Sequence, residues 1–378
     1  MTLFTEDQAM IRDTARAFAT ERLAPGAAER DRSGMPPRDL LAEMGGLGLM
    51  GMTVPEAWGG AGTDFLSYIL ALEEVAAADG AISTIMSVNN SPVCAALLQY
   101  GSEALKRDWL PQLAGGSMIG AFCLTEPQAG SDASALRCRA QADGDGWALS
   151  GTKQFITSGS IAGLALVFAV TDPDAGKKGL SCFAVPTDAA GFQVARVESK
   201  LGQRSSDTCQ IVLDGVKVAA GQMLGSPGEG YRIALANLES GRIGIAAQAI
   251  GMARAALDAA LAYAEEREAF GQAIIGHQAV AFRLADMATE IEAARQLTHH
   301  AARLKDAGRP CLKEASMAKL FASEMAERVC SAAIQVHGGY GYLSDYPVER
   351  IYRDVRVCQI YEGTSDVQRI VIGRALRV

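Results

Sequence analysis

The chain has no Lys/Arg-rich run, and its formal net charge is -8 over 378 residues. Without a basic patch, neither nucleic acid nor an anionic membrane is expected as a partner. It has no C-x-x-C pair among its eight cysteines, at 94, 123, 138, 182, 209, 311, 330 and 358. They read as small buried hydrophobes in a reducing compartment, not as a disulfide framework. Histidine is scarce, with four residues, two of them the neighbours His299 and His300. Adjacent helical side chains point in different directions, so no metal site is expected. The longest uncharged run, Gly80 to Ser102, is broken by "SVNNSP" at its middle, which argues against a membrane span. The start, "MTLFTEDQAMIRDTARAF", places Glu6, Asp7 and Arg12 where an export signal needs an apolar core. A cytoplasmic, bacterial-type location is therefore expected. There is also no short-period repeat and no low-complexity segment.

What is present is enough length for two or three domains and a large core, with about half the residues hydrophobic. Thr5 with Gln8 reads as a capping box opening an amphipathic helix. "DLLAEMGGLGLMG", "SYILALEEVAAAD" and "SEALKRDWLPQLAGG" are helical, the last stopping at Pro111 and the Gly115-Gly116 pair. The period then changes. "GWALSGTKQFIT", "LALVFAV" and "LSCFAVP" read as strands, and "TCQIVLDGVKV" as a hairpin turned at Asp214-Gly215. Helical spacing returns after Gly230. Ile243, Ala247, Ile250, Leu257 and Leu261 share a face. Val280, Leu284, Met287, Ile291 and Ala294 form a bundle seam. Gly308-Arg309-Pro310 ends that helix, and another long one runs from "KEASMAK" to "QVHGG". The expected division is a helical domain over residues 1–118, a β domain over 119–225 and a helical bundle over 226–378, an α+β chain.

Gly46 to Gly51, "GLGLMG", formally matches G-x-G-x-x-G. A dinucleotide fingerprint follows a strand and opens a helix; here a helix precedes it and Pro55 follows, so it reads as a helix end and turn. "FCLTEPQAGSDAS", Phe122 to Ser134, gathers hydroxyls and backbone amides that suit a ring edge and a phosphate; an ordinary polar turn is the other reading. Phe155 and Thr157 in "KQFITSGS" suit a flat heteroaromatic ligand or a plain strand. Arg267 could hold a phosphate, or form a surface ion pair. The glycines of "QVHGGYGY" could admit a ligand, or simply stop a helix. In "IYEGTSDVQR", Glu362 sits alone among apolar neighbours. Desolvation raises the pKa of such an acid, which is what a base for a weakly acidic proton needs. A structural acid in a capping turn looks the same.

Eight segments in order, "FCLTEPQAGSD", "SGTKQFITSGS", "ESGRIGIAAQAIGMA", "EREAFG" with "HQ", "KEASMAK", "QVHGGYGY", "YPVERIYRDVR" and "IYEGTSDVQR", resemble the acyl-CoA dehydrogenase family over essentially the whole chain. The resemblance implies an N-terminal helical domain, a middle β-barrel and a C-terminal four-helix bundle, with FAD between the barrel and the bundle. It implies FAD contacts from Phe122, Leu124, Thr125, Ser131, Phe155, Thr157, Thr364 and Asp366. Arg267, Phe270, Gln278, Gln335, Gly338 and Gly339 would reach the FAD of a neighbouring subunit, which makes a homo-oligomer, a tetramer, the expected assembly. Ser131, Glu239, Arg242 and Gly363 match substrate-side positions.

By the same resemblance Glu362 is the catalytic base. Some relatives carry the base just before the bundle arginine; that position here is Gly241, which cannot serve. The implied reaction is α,β-dehydrogenation of an acyl-CoA to a trans-2-enoyl-CoA, with the α-proton taken by Glu362, hydride passed to flavin N5 and electrons passed on to an electron-transfer flavoprotein. The setting would be fatty acid β-oxidation or branched-chain amino acid catabolism. "SVNNSP", "SGRIGIA" and Gly241 look most like the short-chain and short/branched-chain members. Two departures and three rival readings bear on this. Phe155 stands where many relatives have tryptophan. The long C-terminal extension of acyl-CoA oxidases is not seen, which speaks against oxygen as main acceptor. Alternatives on the same fold are a dehydrogenase of carrier-protein-tethered acyl groups and a flavin oxidase; a non-enzymatic scaffold is the alternative from another class.

Overall fold

A computed structural model describes residues 4–377. The first three residues of the start read above as no export signal lie outside them. Helix α1 (Glu6–Phe18) opens with the expected capping box: the Gln8 amide donates to the Thr5 hydroxyl at 3.2 Å, and the Thr5 amide donates to the Gln8 side chain at 3.1 Å. Six more helices follow: α2 (Ala27–Ser33), α3 (Arg38–Gly46), α4 (Phe65–Ala78), α5 (Gly80–Val88), α6 (Ala95–Tyr100) and α7 (Glu103–Ala114). "GLGLMG" is the end of α3 and the turn after it, as expected. Helix α7 passes through Pro111, which the sequence reading took as a stop. Pro111 leaves the Arg107 carbonyl without its helical donor, yet the helix continues to Ala114 and the chain turns at Gly115 and Gly116, the latter at φ +70°.

"SVNNSP" becomes the end of α5 and a kinked segment, Asn89–Cys94, broken at Ser91, which is extended at φ -145° and ψ 108°, before α6. Both asparagines are buried and fully used. Asn89 Nδ2 donates to the carbonyls of Met50 and Leu113, and Asn90 Nδ2 to those of Leu49 and Met86. Their Oδ1 atoms accept from Gly120 and Met52 amides. A buried polar pair of this kind is tolerated because every group is satisfied. Two stretches, Gly80–Tyr100 and Gly230–Glu266, are long and apolar enough to cross a membrane, and most of each is buried within the protein.

The middle of the chain forms β1 (Gly120–Cys123), β2 (Arg139–Asp143), β3 (Gly146–Thr157), β4 (Leu164–Val170), β5 (Leu180–Pro186), β6 (Phe192–Val197), β7 (Thr208–Ala219) and β8 (Met223–Leu224). The eight strands pair in the order β6-β7-β3-β2-β4-β5-β8, with β1 parallel to β4. Only Arg139 and Val170 bridge β2 to β4, so the sheet folds over at that point. Ala121, Ile156, Val167, Phe183, Ile211 and Leu213 from the two halves then share one core.

Asp214-Gly215 is not the hairpin turn the sequence suggested. Strand β7 runs straight through it. The register against β3 shifts between Leu149 and Gly151, so two residues of β7 face Ser150 alone. Gly215 takes φ +63° and donates its amide to Ser150 Oγ at 3.1 Å. This is a β-bulge: it needs the same left-handed glycine as a tight turn, and the partner strand decides which forms.

The last third holds α8 (Gly230–Glu266), α9 (Gln278–Asp306), α10 (Leu312–His337), α11 (Pro347–Val355) and α12 (Ser365–Ala375). Leu284, Met287, Ile291 and Ala294 of the expected seam are buried against α8 and α10. Ile243 and Ala247 of α8 belong to a second core with α1, α4 and α5, so the N-terminal helices and the bundle are packed as one body. All eight cysteines are free and buried, and no cluster of metal-ligating side chains occurs among the described residues.

Asp354 of α11 lies where the three parts meet. It is buried, and it accepts the Gln203 amide from the β6–β7 loop. Burial, reinforced by Asp79 and Asp31, raises its pKa to about 7, against the opposing pull of the Gln203 hydrogen bond and Arg350. The folded state therefore holds a proton that the unfolded chain releases from about pH 4. Its contribution to stability is full below that pH and is lost as pH rises to about 7. Asp354→Asn should flatten the fall in urea midpoint across this window; an unchanged slope would show that other groups govern it.

Candidate active site

Glu362 follows a 3₁₀ turn, Arg356–Gln359, and precedes α12. Thr364 caps α12, its hydroxyl accepting the Val367 amide at 3.3 Å. The acid is thus in a capping turn, yet it is not the cap. Glu362 and Gly363 both have left-handed backbones, at φ +51° and +92°. A non-glycine residue held there stores of the order of 1 kcal/mol or more and persists only when its surroundings over-determine it.

The side chain reaches α8. A Cβ added to Gly241 would lie 1.8 Å from Glu362 Oε2 and 3.0 Å from Oε1. The carboxylate therefore occupies the space a side chain at 241 would need. Oε2 is enclosed and has no hydrogen-bond partner. Burial raises the Glu362 pKa to about 7; nearby Lys319 and Arg242 pull it back only in part. Arg242 is 6% exposed, with Nε and Nη1 unpartnered. Burial lowers its pKa, while Glu362 and Glu239 act in the opposite sense. Glu239 accepts a hydrogen bond from Cys311 Sγ at 3.4 Å.

The segment from Phe122 to Ser131 is fixed to β3 by a buried ion pair. Lys153 Nζ lies 2.7 Å from Glu126 Oε1 and also donates to the Leu124 carbonyl at 3.1 Å. Glu126 further accepts the Arg137 and Cys138 amides at 2.7 and 3.0 Å. Burial alone would raise its pKa, but Lys153 and these donors hold it below the usual glutamate value. The Gln154 amide donates to the Thr125 carbonyl at 2.8 Å, which sets this loop beside Phe155 and Thr157. Phe122 packs on Phe168 with ring centroids 4.8 Å apart, and Leu124 is buried; Ser131 is exposed.

Phe155 sits in a register shift of β3 at φ +57° and is 64% exposed. A non-glycine residue held in that conformation is strained. Thr157 lines a cleft of about 270 Å³ together with Lys200, Gln203, Thr208, Ile360 and Tyr361. The loop, the end of β3 and the Glu362 turn are therefore neighbours. Hydroxyls of Thr125, Ser131 and Thr157 with the Phe155 ring could hold a flavin's ring edge and face. Thr364 is half-buried in its cap, and Asp366 is exposed, 3.7 Å from Arg369.

The other predicted cofactor residues lie elsewhere. Arg267, Gly338 and Gly339 line a cleft of about 460 Å³ with Tyr263, His337 and Tyr340. Phe270 is 97% exposed at φ +54°, and Gln278 and Gln335 are exposed. The two clefts share no lining residue. Within one chain this second group is not brought to Glu362.

Sequence reading missed Lys319. Its Nζ donates to the Gly363 carbonyl at 2.6 Å. The available signal was a lone lysine in the apolar helical run "SMAKLF". Gln368, which donates to the same carbonyl at 2.8 Å, was also missed.

Gly241→Ala should displace the Glu362 carboxylate without unfolding α8. The expected result is a fall in turnover of roughly tenfold or more from misplacing a reacting group, with the thermal midpoint nearly retained. A variant with wild-type turnover would show that the carboxylate does not work from this position.

Three family models cover the chain in order: "Acyl-CoA dehydrogenase, N-terminal domain" over residues 5–117, "Acyl-CoA dehydrogenase, middle domain" over 121–216 and "Acyl-CoA dehydrogenase, C-terminal domain" over 228–377. The human mitochondrial short-chain specific acyl-CoA dehydrogenase is 46% identical over 373 residues, 98% of this chain and 90% of that protein. The butyryl-CoA dehydrogenase of Megasphaera elsdenii superposes with a TM-score of 0.98 at 42% identity, covering 100% of both chains. A chain solved in work on the electron transferring flavoprotein of Acidaminococcus fermentans matches at 46% identity and TM-score 0.98, over 100% of this chain and 99% of that one. Likeness of this depth over the whole length makes this chain a member of the acyl-CoA dehydrogenase family, whose members are FAD-dependent flavoproteins.

Proposed function

We propose that the protein oxidises a short-chain acyl-CoA thioester, of the butyryl-CoA class, to its trans-2-enoyl-CoA, with Glu362 as the base for the α-proton. The observation that carries this is the Glu362 carboxylate packed over Gly241, with its Oε2 enclosed and without a hydrogen-bond partner. An acid in that state is poised near neutral pH and gains from taking a proton. The human short-chain specific relative and the Megasphaera butyryl-CoA dehydrogenase support the substrate class. FAD, when bound, supplies acceptance of the β-hydrogen as hydride. Phe122, Leu124, Thr125, Ser131, Phe155, Thr157, Thr364 and Asp366 would hold it from this chain. Arg267, Phe270, Gln278, Gln335, Gly338 and Gly339 would serve the cofactor of a second subunit, which their exposure in the single chain supports. The assembly is then a homo-oligomer, a tetramer in our reading.

The protein's own part is to bind, polarise and deprotonate. The Glu362 backbone N–H would donate to the thioester carbonyl and stabilise the developing enolate. Arg242, Glu239, Ser131 and Gly363 would line the substrate side. Electrons would leave to an electron-transfer flavoprotein, a partner supported by the Acidaminococcus match. Short or branched acyl groups such as isobutyryl and 2-methylbutyryl fall within the same proposal.

The test is an anaerobic titration of the purified yellow protein with butyryl-CoA. Bleaching of the flavin band supports the reading; a band unchanged by any short or branched acyl-CoA overturns it. Glu362→Gln should keep FAD and bind the thioester while slowing flavin reduction by roughly three orders of magnitude. Glu362→Asp should fall between, since the shorter side chain withdraws the base from the α-carbon. The base must be ionised to act, and its pKa is raised to about 7. The reduction rate should therefore rise with pH through about 7 and fall roughly tenfold per unit below it. A flat profile from pH 5 to 9 would remove Glu362 as the titrating group.

A further inference from the structure

Lys319 is fully buried on α10, and neither an ion pair at close range nor solvent satisfies it. Burying an ammonium is costly unless it is well used. Its one strong partner is the Gly363 carbonyl, at 2.6 Å. That carbonyl belongs to the second of two consecutive left-handed residues, the first being Glu362. Gln368 Nε2 closes on the same carbonyl at 2.8 Å and on that of Glu362 at 3.3 Å. The turn that carries the acid is thus held from α10 and from α12 at once.

The ammonium also lies in the field of the carboxylate. Charged and titratable groups facing Glu362 are Lys319 from α10, Arg242 from α8 and Tyr68 from α4. Those facing Lys319 are Cys358, Glu362 and Arg242. Glu239 and Cys311 stand beyond Arg242. Two cations therefore flank one enclosed acid. Lys319 differs from Arg242 in being hydrogen-bonded to the backbone of the turn that carries Glu362.

We propose that Lys319 is a positioning residue for the reaction: by gripping the Gly363 carbonyl it holds Glu362 in its left-handed conformation, and its charge biases the carboxyl toward the ionised form. This rests on Glu362 being the base. Burial pulls the pKa of Lys319 down to about 8, with Cys358 and Glu362 acting in the opposite sense. A neutral residue at 319 would leave Glu362 facing one cation, and its ionisation would move to higher pH.

The measurement is made on the FAD-loaded protein and does not need turnover. The carboxyl band of Glu362 is isolated as the infrared difference between wild type and Glu362→Gln, and followed through a pH titration. Lys319→Met should raise the apparent pKa by about one unit; Lys319→Arg should restore it. Lys319→Gln, which keeps a donor but not the charge, should behave as Met does and serves where Met fails to fold. If butyryl-CoA bleaches the flavin, the pH profile of reduction should shift by the same amount, with most of the rate regained at high pH. A neutral variant that folds and leaves the carboxyl titration in place overturns the proposal, as does a uniform loss of rate with no shift in profile. If butyryl-CoA never bleaches the wild-type flavin, the proposed substrate is wrong, and the infrared titration still decides the role of Lys319.

Discussion

One enclosed carboxylate oxygen without a hydrogen-bond partner sets the terms for the structure around it. A charge taken from water is costly, and its environment either neutralises or compensates it. At Glu362 both happen in part. Burial pushes the acid toward its protonated form, while Lys319 and Arg242 keep ionisation within reach of neutral pH. The rest of the local architecture follows from keeping that balance in place. Gly241 leaves the volume, Thr364 starts the next helix at once, and α10 and α12 grip the turn.

A second buried charge does different work. The Lys153–Glu126 pair has excellent geometry, and its remaining hydrogen-bonding capacity is used by the Arg137 and Cys138 amides and the Leu124 carbonyl. A buried pair that is fully satisfied contributes specificity more surely than net stability. Here it locks an otherwise irregular loop to the strand bearing Phe155 and Thr157. The Gln154 amide, bonded to the Thr125 carbonyl, is a second tie between the same two segments.

The long helices were legible because their apolar residues recur with the helical period over many turns, as at Leu284, Met287, Ile291 and Ala294. The capping box at Thr5 was legible because it is wholly local. Asp214-Gly215 was misread because a hairpin and a bulge place the same local demand on glycine. Only the pairing of β7 with a long, continuous β3 separates them. Glu362 stood out as a lone acid among apolar neighbours, and the eight ordered segments tied it to a reaction class. Lys319 did not stand out. Its importance comes from a contact across 44 residues of chain, between helices whose relative placement no local pattern states.

The overlap between Gly241 and the Glu362 carboxylate has a consequence for how such a site can change over time. A Cβ at 241 would lie 1.8 Å from Glu362 Oε2, so in this arrangement the two positions cannot both be occupied by side chains. Moving the acid from one to the other takes two replacements. Whichever comes first leaves either no acid or two side chains contending for the same volume. Under the proposed role of Glu362, any path between the two placements passes through a protein with no base or through one in which the acid is pushed from its place.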